Sequence, residues 1–137
     1  MKKSNKGFSL VELIIVIAIM AVLIAVLAPQ YLQYVEKSKK QSDATAISEV
    51  VKAGEIAVAE PANGVVSGDE VVVSVSKAGA VSATQSKVKA DVISACGSSI
   101  KLTSKFFTTD DSSVTFKMEG DNWTKTYAGP YADYLGE

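Results

Sequence analysis

The sequence predicts an α+β protein in which one long N-terminal α-helix, transmembrane in its first half, packs on a small antiparallel β-sheet head. Three observations lead to this fold class. Residues 13–28 are an unbroken apolar run, apolar residues at helical spacing continue well beyond it, and short alternating segments fill the second half of the chain. The length of 137 residues allows one domain and one additional element.

The first predicted element is a helix from Ser9 to Glu60, which Pro61 ends. Residues 8–28 would span roughly 30 Å as a helix, the thickness of one hydrocarbon core. The whole helix would be roughly 78 Å long, more than a small domain can bury. Its first half must therefore lie in lipid or against other copies. Pro29 removes one backbone donor, so a kink or a locally unwound turn is expected there.

The apolar run admits other interpretations. A secretory signal peptide has the same order of basic, apolar and small residues, but cleavage after Ala28 would leave Pro29 just beyond the cut. A plain signal anchor leaves Glu12, an acid within the segment, unexplained. Lysines at 2, 3 and 6 favour a cytoplasmic N-terminus, but lysines at 37, 39 and 40 follow the segment, so charge alone leaves the orientation open.

The head is predicted from short local patterns. It should contain three or four strands that pack on the second half of the long helix. It should also contain one short helix, which a capping-box pair of Ser82 and Gln85 begins and Gly97 ends. The other predicted features are loops at 63–64 and 67–68, strands at 70–76 and 100–103, and a hairpin turning at 120–122 that places Trp123 and Tyr127 on one face.

Composition excludes several functions. There are 14 Lys+Arg against 15 Asp+Glu, every basic residue is a lysine, and there is no histidine. We therefore expect no nucleic-acid partner and no enzymatic activity, since no catalytic constellation can be assembled. Cys96 is the only cysteine, so it forms no intrachain disulfide, and we interpret it as a small buried hydrophobe.

Acidic residues in turns suggest metal sites only weakly. Asp110 and Asp111 lie in one polar loop, and Glu119 and Asp121 flank a turn. Calcium needs several oxygens converging on one point, and we favour ordinary turn acids and expect no metal and no cofactor. The sequence at 122–124 fits a glycosylation sequon, but its asparagine is better explained as a turn residue. The lysines at 37–40 are best explained as a surface that faces solvent or lipid headgroups.

The stretch "KGFSLVEL", followed by an apolar helix and "APQY", resembles the N-terminus of type IV prepilins. The family motif is a basic leader ending in Gly, then Phe, with Glu as the fifth mature residue. Gly7, Phe8 and Glu12 match these positions, and Pro29 falls where many such pilins have a helix-interrupting proline. The neighbouring residues that also fit are Leu10, Val11 and Leu13. The specific match covers residues 6–34.

The resemblance implies three regions: a leader removed at 1–7, a transmembrane and filament-core half of the helix at 8–35, and an extracytoplasmic head at 36–137. It implies that a prepilin peptidase cleaves after Gly7 on the cytoplasmic side and N-methylates Phe8. In the filament, Glu12 of one subunit would then pair with the Phe8 ammonium of a neighbour. In the alternative interpretation, Glu12 only snorkels to the headgroups.

The function that follows is a structural subunit of a type IV pilus, most simply the major pilin, because Glu12 and Pro29 are both present. Its partners would be copies of itself, the peptidase, the assembly machinery and the cytoplasmic membrane. Its final location would be the cell surface, where the pilus would serve a role such as adhesion or twitching motility. The alternatives are a pseudopilin of a secretion or DNA-uptake system and a single-pass anchored adhesin. The lone Cys96 departs from the C-terminal disulfide of many Gram-negative pilins and favours a Gram-positive source.

Overall fold

A computed structural model describes residues 7–137, so the first six residues of the predicted leader, with their lysines, lie outside the described part. The fold is α+β, as predicted: a long N-terminal helix and a small four-stranded antiparallel sheet. The elements in chain order are α1 (Leu10–Ala59), β1 (Glu70–Val75), β2 (Val81–Ala83), α2 (Ser86–Cys96), β3 (Ser112–Glu119), β4 (Asn122–Ala128) and α3 (Pro130–Leu135).

The chain divides into two compact units, and the boundary lies between Val35 and Glu36. The described part of the first unit is the start of the chain from Gly7 and the N-terminal portion of α1. The second unit, the head, holds the remainder of α1 and every other element. The helix ends where Pro61 begins a short 3-10 turn, and Gly64, with φ of 68°, closes that turn in a left-handed conformation.

The sheet has the strand order β2-β1-β3-β4, and every pair is antiparallel. Strands β3 and β4 form the predicted hairpin, in which Glu119 pairs with Asn122 across a two-residue Gly-Asp turn. Gly120 has φ of 65°, the conformation that such tight turns require. Trp123 and Tyr127 are four residues apart in β4, an even spacing that places both side chains on one face of the strand. Both pack against the core, so the predicted shared face is confirmed.

The core of the head lies between the sheet and residues 44–58 of α1. Gly54 allows the closest approach, because a Cβ there would lie 3.0 Å from the Val73 side chain and 3.1 Å from that of Phe116. A glycine within a helix loses about 1 kcal/mol relative to alanine, so this one is explained by packing. The large side chains that are completely enclosed include Val50, Val71, Val73, Val88, Val92, Phe107, Val114 and Phe116.

Two local predictions were wrong. Ser82 does not cap a helix, because it lies in β2 and pairs with Ser74 of β1, so α2 begins four residues later at Ser86. Residues 100–103 do not form a strand, since the Thr103 N–H donates to a carboxylate of α1 instead of to another strand. The helix α3 was not predicted at all. The predicted end of α2 at Gly97 is confirmed.

The lysines of α1 do not all face solvent as predicted. Lys37 and Lys39 are exposed, but Lys40 is half-buried. Its Nζ lies 3.9 Å from the centre of the Phe106 ring and 2.5 Å from a carboxylate oxygen of Glu137. An ammonium group that lies over an aromatic ring and beside a carboxylate is stabilised electrostatically by both groups, which replace part of its contact with water. Lys40 therefore connects α1 to the loop before β3 and to the residues after α3.

The head should fold without the apolar segment. All buried core side chains of the described chain lie between Ala44 and Tyr131, so a fragment of residues 36–137 retains the whole core. We expect this fragment to be soluble and monomeric, because it lacks the exposed apolar surface of α1. Circular dichroism should show mixed helix and strand signals and a cooperative thermal transition. A mostly disordered spectrum would contradict the core described above.

Candidate functional site

The candidate site begins with an accessible peptide bond between Gly7 and Phe8. Phe8 is 94% exposed, and a Cβ placed on Gly7 would meet no atom within 4 Å. Nothing within the described chain therefore requires a glycine at position 7. A requirement for glycine there would come from a partner that must approach the backbone closely, such as a protease with a narrow cleft.

Ser9 and Glu12 form a reciprocal capping box at the start of α1. The Ser9 N–H donates to Oε2 of Glu12 at 3.1 Å, and the Glu12 N–H donates to the Ser9 hydroxyl at 3.2 Å. Two of the four backbone donors that every helix leaves unpaired at its N-terminus are satisfied in this way. The carboxylate also lies at the positive end of the helix dipole. The "SLVE" sequence carries the spacing of this box.

The capping box explains how an acid is tolerated at this position. A bare carboxylate in an apolar medium is strongly unfavourable, whereas one that accepts a backbone hydrogen bond at a helix N-terminus is partly compensated. Oε1 of Glu12 accepts no hydrogen bond within residues 7–137. One oxygen is therefore held by the chain's own backbone, and the other remains available to a donor from outside it.

An exposed apolar surface follows the capping box. The side chains from Leu10 to Leu27 are mostly more than half exposed, and Glu12 is the single charged residue between Leu10 and Tyr34. This portion of α1 is long and apolar enough to cross a membrane, with a mean hydropathy of 3.2 and no buried residue in its most apolar window. An open groove of about 580 Å³ lies beside Glu12, lined also by Phe8, Leu13, Ile15 and Val16. So large an apolar surface must be covered by lipid or by protein.

The helix is continuous through Pro29. The chain is assigned as α-helix without interruption from Leu10 to Ala59, with Pro29 inside it. The missing N–H of the proline therefore does not end the helix. The bend that we expect at this position stays a prediction.

The acids of the head contact hydrogen-bond donors of the head itself. Asp110 accepts a hydrogen bond from the Asp111 N–H at 2.8 Å, as a turn acid does. Asp111 was predicted to be a turn acid, but it accepts a hydrogen bond at 2.7 Å from the N–H of Lys77, 34 positions earlier, and so connects two distant segments. Glu119 pairs with Lys117 at 2.8 Å, and this hydrogen bond lowers the pKa of its carboxyl. In the part of the chain that the structure describes, no three Asp, Glu, Cys or His side chains are grouped closely enough to hold a metal ion.

Cys96 is half-buried rather than fully buried, and it packs at the edge of the core. Its Sγ lies 3.6 Å from the carbonyl oxygen of Glu49. Burial, and to a smaller extent the negative charge of Glu49, raise the pKa of the thiol. The thiol therefore stays protonated at neutral pH, which agrees with a packing role.

The fold and the site define a class of protein: a helical stem with an exposed apolar surface, an acid near its start, and a compact α+β head. The chain matches the family model of the prokaryotic N-terminal methylation motif over residues 2–28, about a fifth of its length. The matched segment is a type IV prepilin-like signal motif, so in this segment the chain is similar to type IV pilins and pseudopilins. No curated protein and no solved structure matched the chain.

Proposed function

We propose that this protein is a structural, non-enzymatic subunit of a type IV pilus, and that it is the major pilin. The observation that carries the proposal is Glu12: one acid, four residues after Phe8, at the start of an otherwise apolar and exposed helix. The methylation motif at residues 2–28 supports processing by a prepilin peptidase. The head supplies the surface of the filament, and the apolar part of α1 supplies its interior.

Processing prepares the chain for assembly by changing its charges. Cleavage after Gly7 creates a positive α-ammonium on Phe8, which remains charged after methylation. It also removes Lys2, Lys3 and Lys6, so that 11 of the 14 lysines remain against 15 acids. The segment loses the charges that hold its N-terminus in the cytoplasm and gains one cation next to Glu12.

Assembly uses that new cation. In the apolar interior of a filament, an unpaired ammonium or carboxylate loses several kcal/mol of solvation, and a hydrogen-bonded pair recovers much of it. Oε1 of Glu12 is free to accept from the Phe8 ammonium of a neighbouring subunit while Oε2 keeps its capping bond. A carboxylate has about four lone-pair positions, so the two contacts are compatible. A wrong axial register leaves both charges unpaired, so the pair selects the register.

The proposed route begins in the cytoplasmic membrane, with the N-terminus inside, and ends on the cell surface. The alternatives are a pseudopilin, which the same motif and fold accommodate, and a membrane-anchored adhesin. The decisive measurement is the N-terminal mass of protein sheared from the cell surface. Methylated Phe8 in long filaments supports the pilus, methylated Phe8 without long filaments supports a pseudopilin, and Met1 or Gln30 as the first residue contradicts the family assignment.

Replacing Gly7 by Val should block processing. The change leaves the chain's own contacts intact, because a Cβ at this position meets no atom within 4 Å, so the defect would lie in the fit to the peptidase. We expect the leader to remain attached and the protein to remain in the membrane fraction, as shown by intact mass and a membrane blot. Val11→Leu, at the fourth residue after the cleaved bond, is the matched control and should be processed. Normal removal of the leader from the Gly7→Val protein would contradict the role of Gly7.

A further inference from the structure

A groove lies between the end of α1 and α2, within the head. Its volume is about 290 Å³, and its apolar wall consists of Ala53, Ile56, Ala57 and Ala95. Two acidic residues, Glu60 and Asp91, line the same groove, and both are exposed. The groove therefore combines an apolar surface with negative charge.

Ile56 is the feature of this groove that the head itself does not explain. It is 72% exposed, although Ala53 and Ala57, its neighbours in the groove, are buried. Single exposed apolar residues are common on protein surfaces. Ile56, however, borders a groove whose other apolar residues are small alanines. Another chain can therefore approach both α1 and α2 closely at this point.

The same chain carries a segment of complementary chemistry. In residues 31–39 of α1, the side chains of Tyr31, Leu32 and Tyr34 are exposed by 66%, 67% and 72%. Lys37 and Lys39 follow them, are exposed, and form no ion pair within residues 7–137. The segment thus offers large apolar side chains followed by two free positive charges.

We infer that the groove binds residues 31–39 of a second copy of this chain. An apolar side chain of the segment lies against Ile56 and the alanines, and the lysines lie near Glu60 and Asp91. Two different patches make the contact, so it is heterologous, and a heterologous contact that does not close a ring produces an open filament. This inference rests on the proposed function and names the contact between heads that accompanies it.

The positions of the two patches fix the displacement between copies. Lys37 and Glu60, which the proposed contact brings together, are 23 positions apart, which is about 35 Å along a helix. If the α1 helices of the two copies run parallel, contact between these residues requires an axial offset of about that length. The complementary charges favour this offset and disfavour zero offset, at which like patches face each other.

Cysteine cross-linking tests the contact in the full chain. In a Cys96→Ala background, cells would express Tyr34→Cys and Ile56→Cys variants together, which leaves the charges of both patches in place, and sheared filaments would be mildly oxidised. We expect a disulfide-linked dimer only when both variants are present. Tyr34→Cys with Thr126→Cys, on the exposed face of β4, is the matched control and should give no dimer.

Charge reversal provides an independent arm. Lys37→Glu with Lys39→Glu should lower the yield of sheared filaments about tenfold, since like charges across an interface are unfavourable by more than 1 kcal/mol. Adding Glu60→Lys should restore most of the yield. Glu49→Lys, another exposed acid of α1 that does not line the groove, should restore nothing.

The outcomes separate this inference from the proposed function. Filaments that contain methylated Phe8, but give no mixed dimer and no charge rescue, would overturn the groove contact and leave the pilin assignment intact. A dimer from Ile56→Cys alone would also overturn it, because the contact would then join like patches. Absence of filaments together with an uncleaved leader in the unmodified protein would overturn both.

Discussion

Replacing Glu12 by Val should abolish filaments and leave membrane insertion intact. The substitution removes the single charged residue between Leu10 and Tyr34, so α1 becomes a better membrane segment, although by less than the roughly 2.5–3.5 kcal/mol of a charge at a helix centre, because Glu12 lies in the first turn. A plain anchor would tolerate the change. In a filament, the Phe8 ammonium would enter the interior without a partner, and loss of one member of a buried pair costs about 3–5 kcal/mol. Because every subunit carries this loss, elongation should fail.

The measurement combines electron microscopy of sheared material with a blot of the membrane fraction, in cells that carry only the variant. Normal filaments from Glu12→Val would refute the charge-pairing mechanism, although the signal motif would stand. Loss of the protein from the membrane as well would show that the variant is defective in insertion or folding. The leader should still be removed, since Gly7 and Phe8 are unchanged.

The capping box makes a sharper version of this experiment possible, because it gives Glu12 a second role within its own helix. Glu12→Gln keeps an acceptor for the Ser9 N–H at the position where the capping box admits Glu or Gln, but it removes the charge. We expect Glu12→Gln to lose filaments as Glu12→Val does. Filaments from Glu12→Gln and none from Glu12→Val would mean that helix capping, rather than charge pairing, is what assembly requires.

Ser9→Ala is the matched control for capping alone. It deletes the acceptor of the Glu12 N–H and leaves the carboxylate in place. Loss of a cap residue typically weakens a helix by about 0.5–2 kcal/mol. Since α1 continues for many turns beyond the cap, filaments should persist with Ser9→Ala.

Strong periodic patterns predicted most of this fold. The long helix begins and ends within one residue of the predicted start and end. The β3–β4 hairpin was predicted from alternating apolar and polar residues on either side of a Gly-Asp turn. The failures arose where a tertiary partner outweighs a local pattern. Residues 100–103 alternate as a strand would, but the carboxylate of Asp43, sixty positions away, takes the Thr103 N–H instead. Ser82 has capping-box spacing to Gln85, but its backbone pairs with β1.

The candidate site divides in the same way. The matched motif at residues 2–28 contains Gly7, Phe8 and Glu12, whose spacing in the sequence is itself the signal, while their roles stay predictions. The Ser9–Glu12 box was equally local, and the S-x-x-E spacing would have predicted it. The groove at Ile56 could not be predicted, because α1 and α2 form it only after the head has folded. Sequence patterns therefore predict the processing signal, and the folded head supplies the surface that we propose for contact between copies.

Asp43 is a buried acid of the head whose loss should strongly destabilise it. It lies in the polar stretch after the apolar segment, where solvent exposure would be the simplest expectation, but it is only 1% exposed. Its carboxylate accepts hydrogen bonds from the Thr103 N–H at 2.9 Å, from the Thr103 hydroxyl at 3.2 Å and from the Ser104 N–H at 2.7 Å. Within residues 7–137 it forms no ion pair, so two backbone N–H groups and one hydroxyl stabilise its charge.

These bonds attach the loop before β3 to α1. Glu36, two helical turns before Asp43, accepts the next N–H, that of Lys105, at 2.6 Å. The loop in turn places Phe107, which is 1% exposed, in the core. Removing the Asp43 carboxylate therefore leaves buried donors without an acceptor and loosens an aromatic anchor at the same time.

Asp43→Ala should destabilise the head by about 3 kcal/mol, because the Thr103 and Ser104 N–H groups both donate to Oδ2 of Asp43 and would be left without an acceptor. For a domain of this size, such a loss lowers the melting temperature by roughly 10–25 °C. Urea unfolding of the 36–137 fragment should show a lower midpoint with an unchanged slope. In native-state hydrogen exchange, the Ser104 amide should lose protection before the amides of β1 and β3. Glu49→Ala, at an exposed acid on the same helix, should stay within about 0.5 kcal/mol of the unmodified fragment. An equally small effect of Asp43→Ala would show that the loop is held by the packing of Phe107 and that the buried carboxylate adds nothing to it.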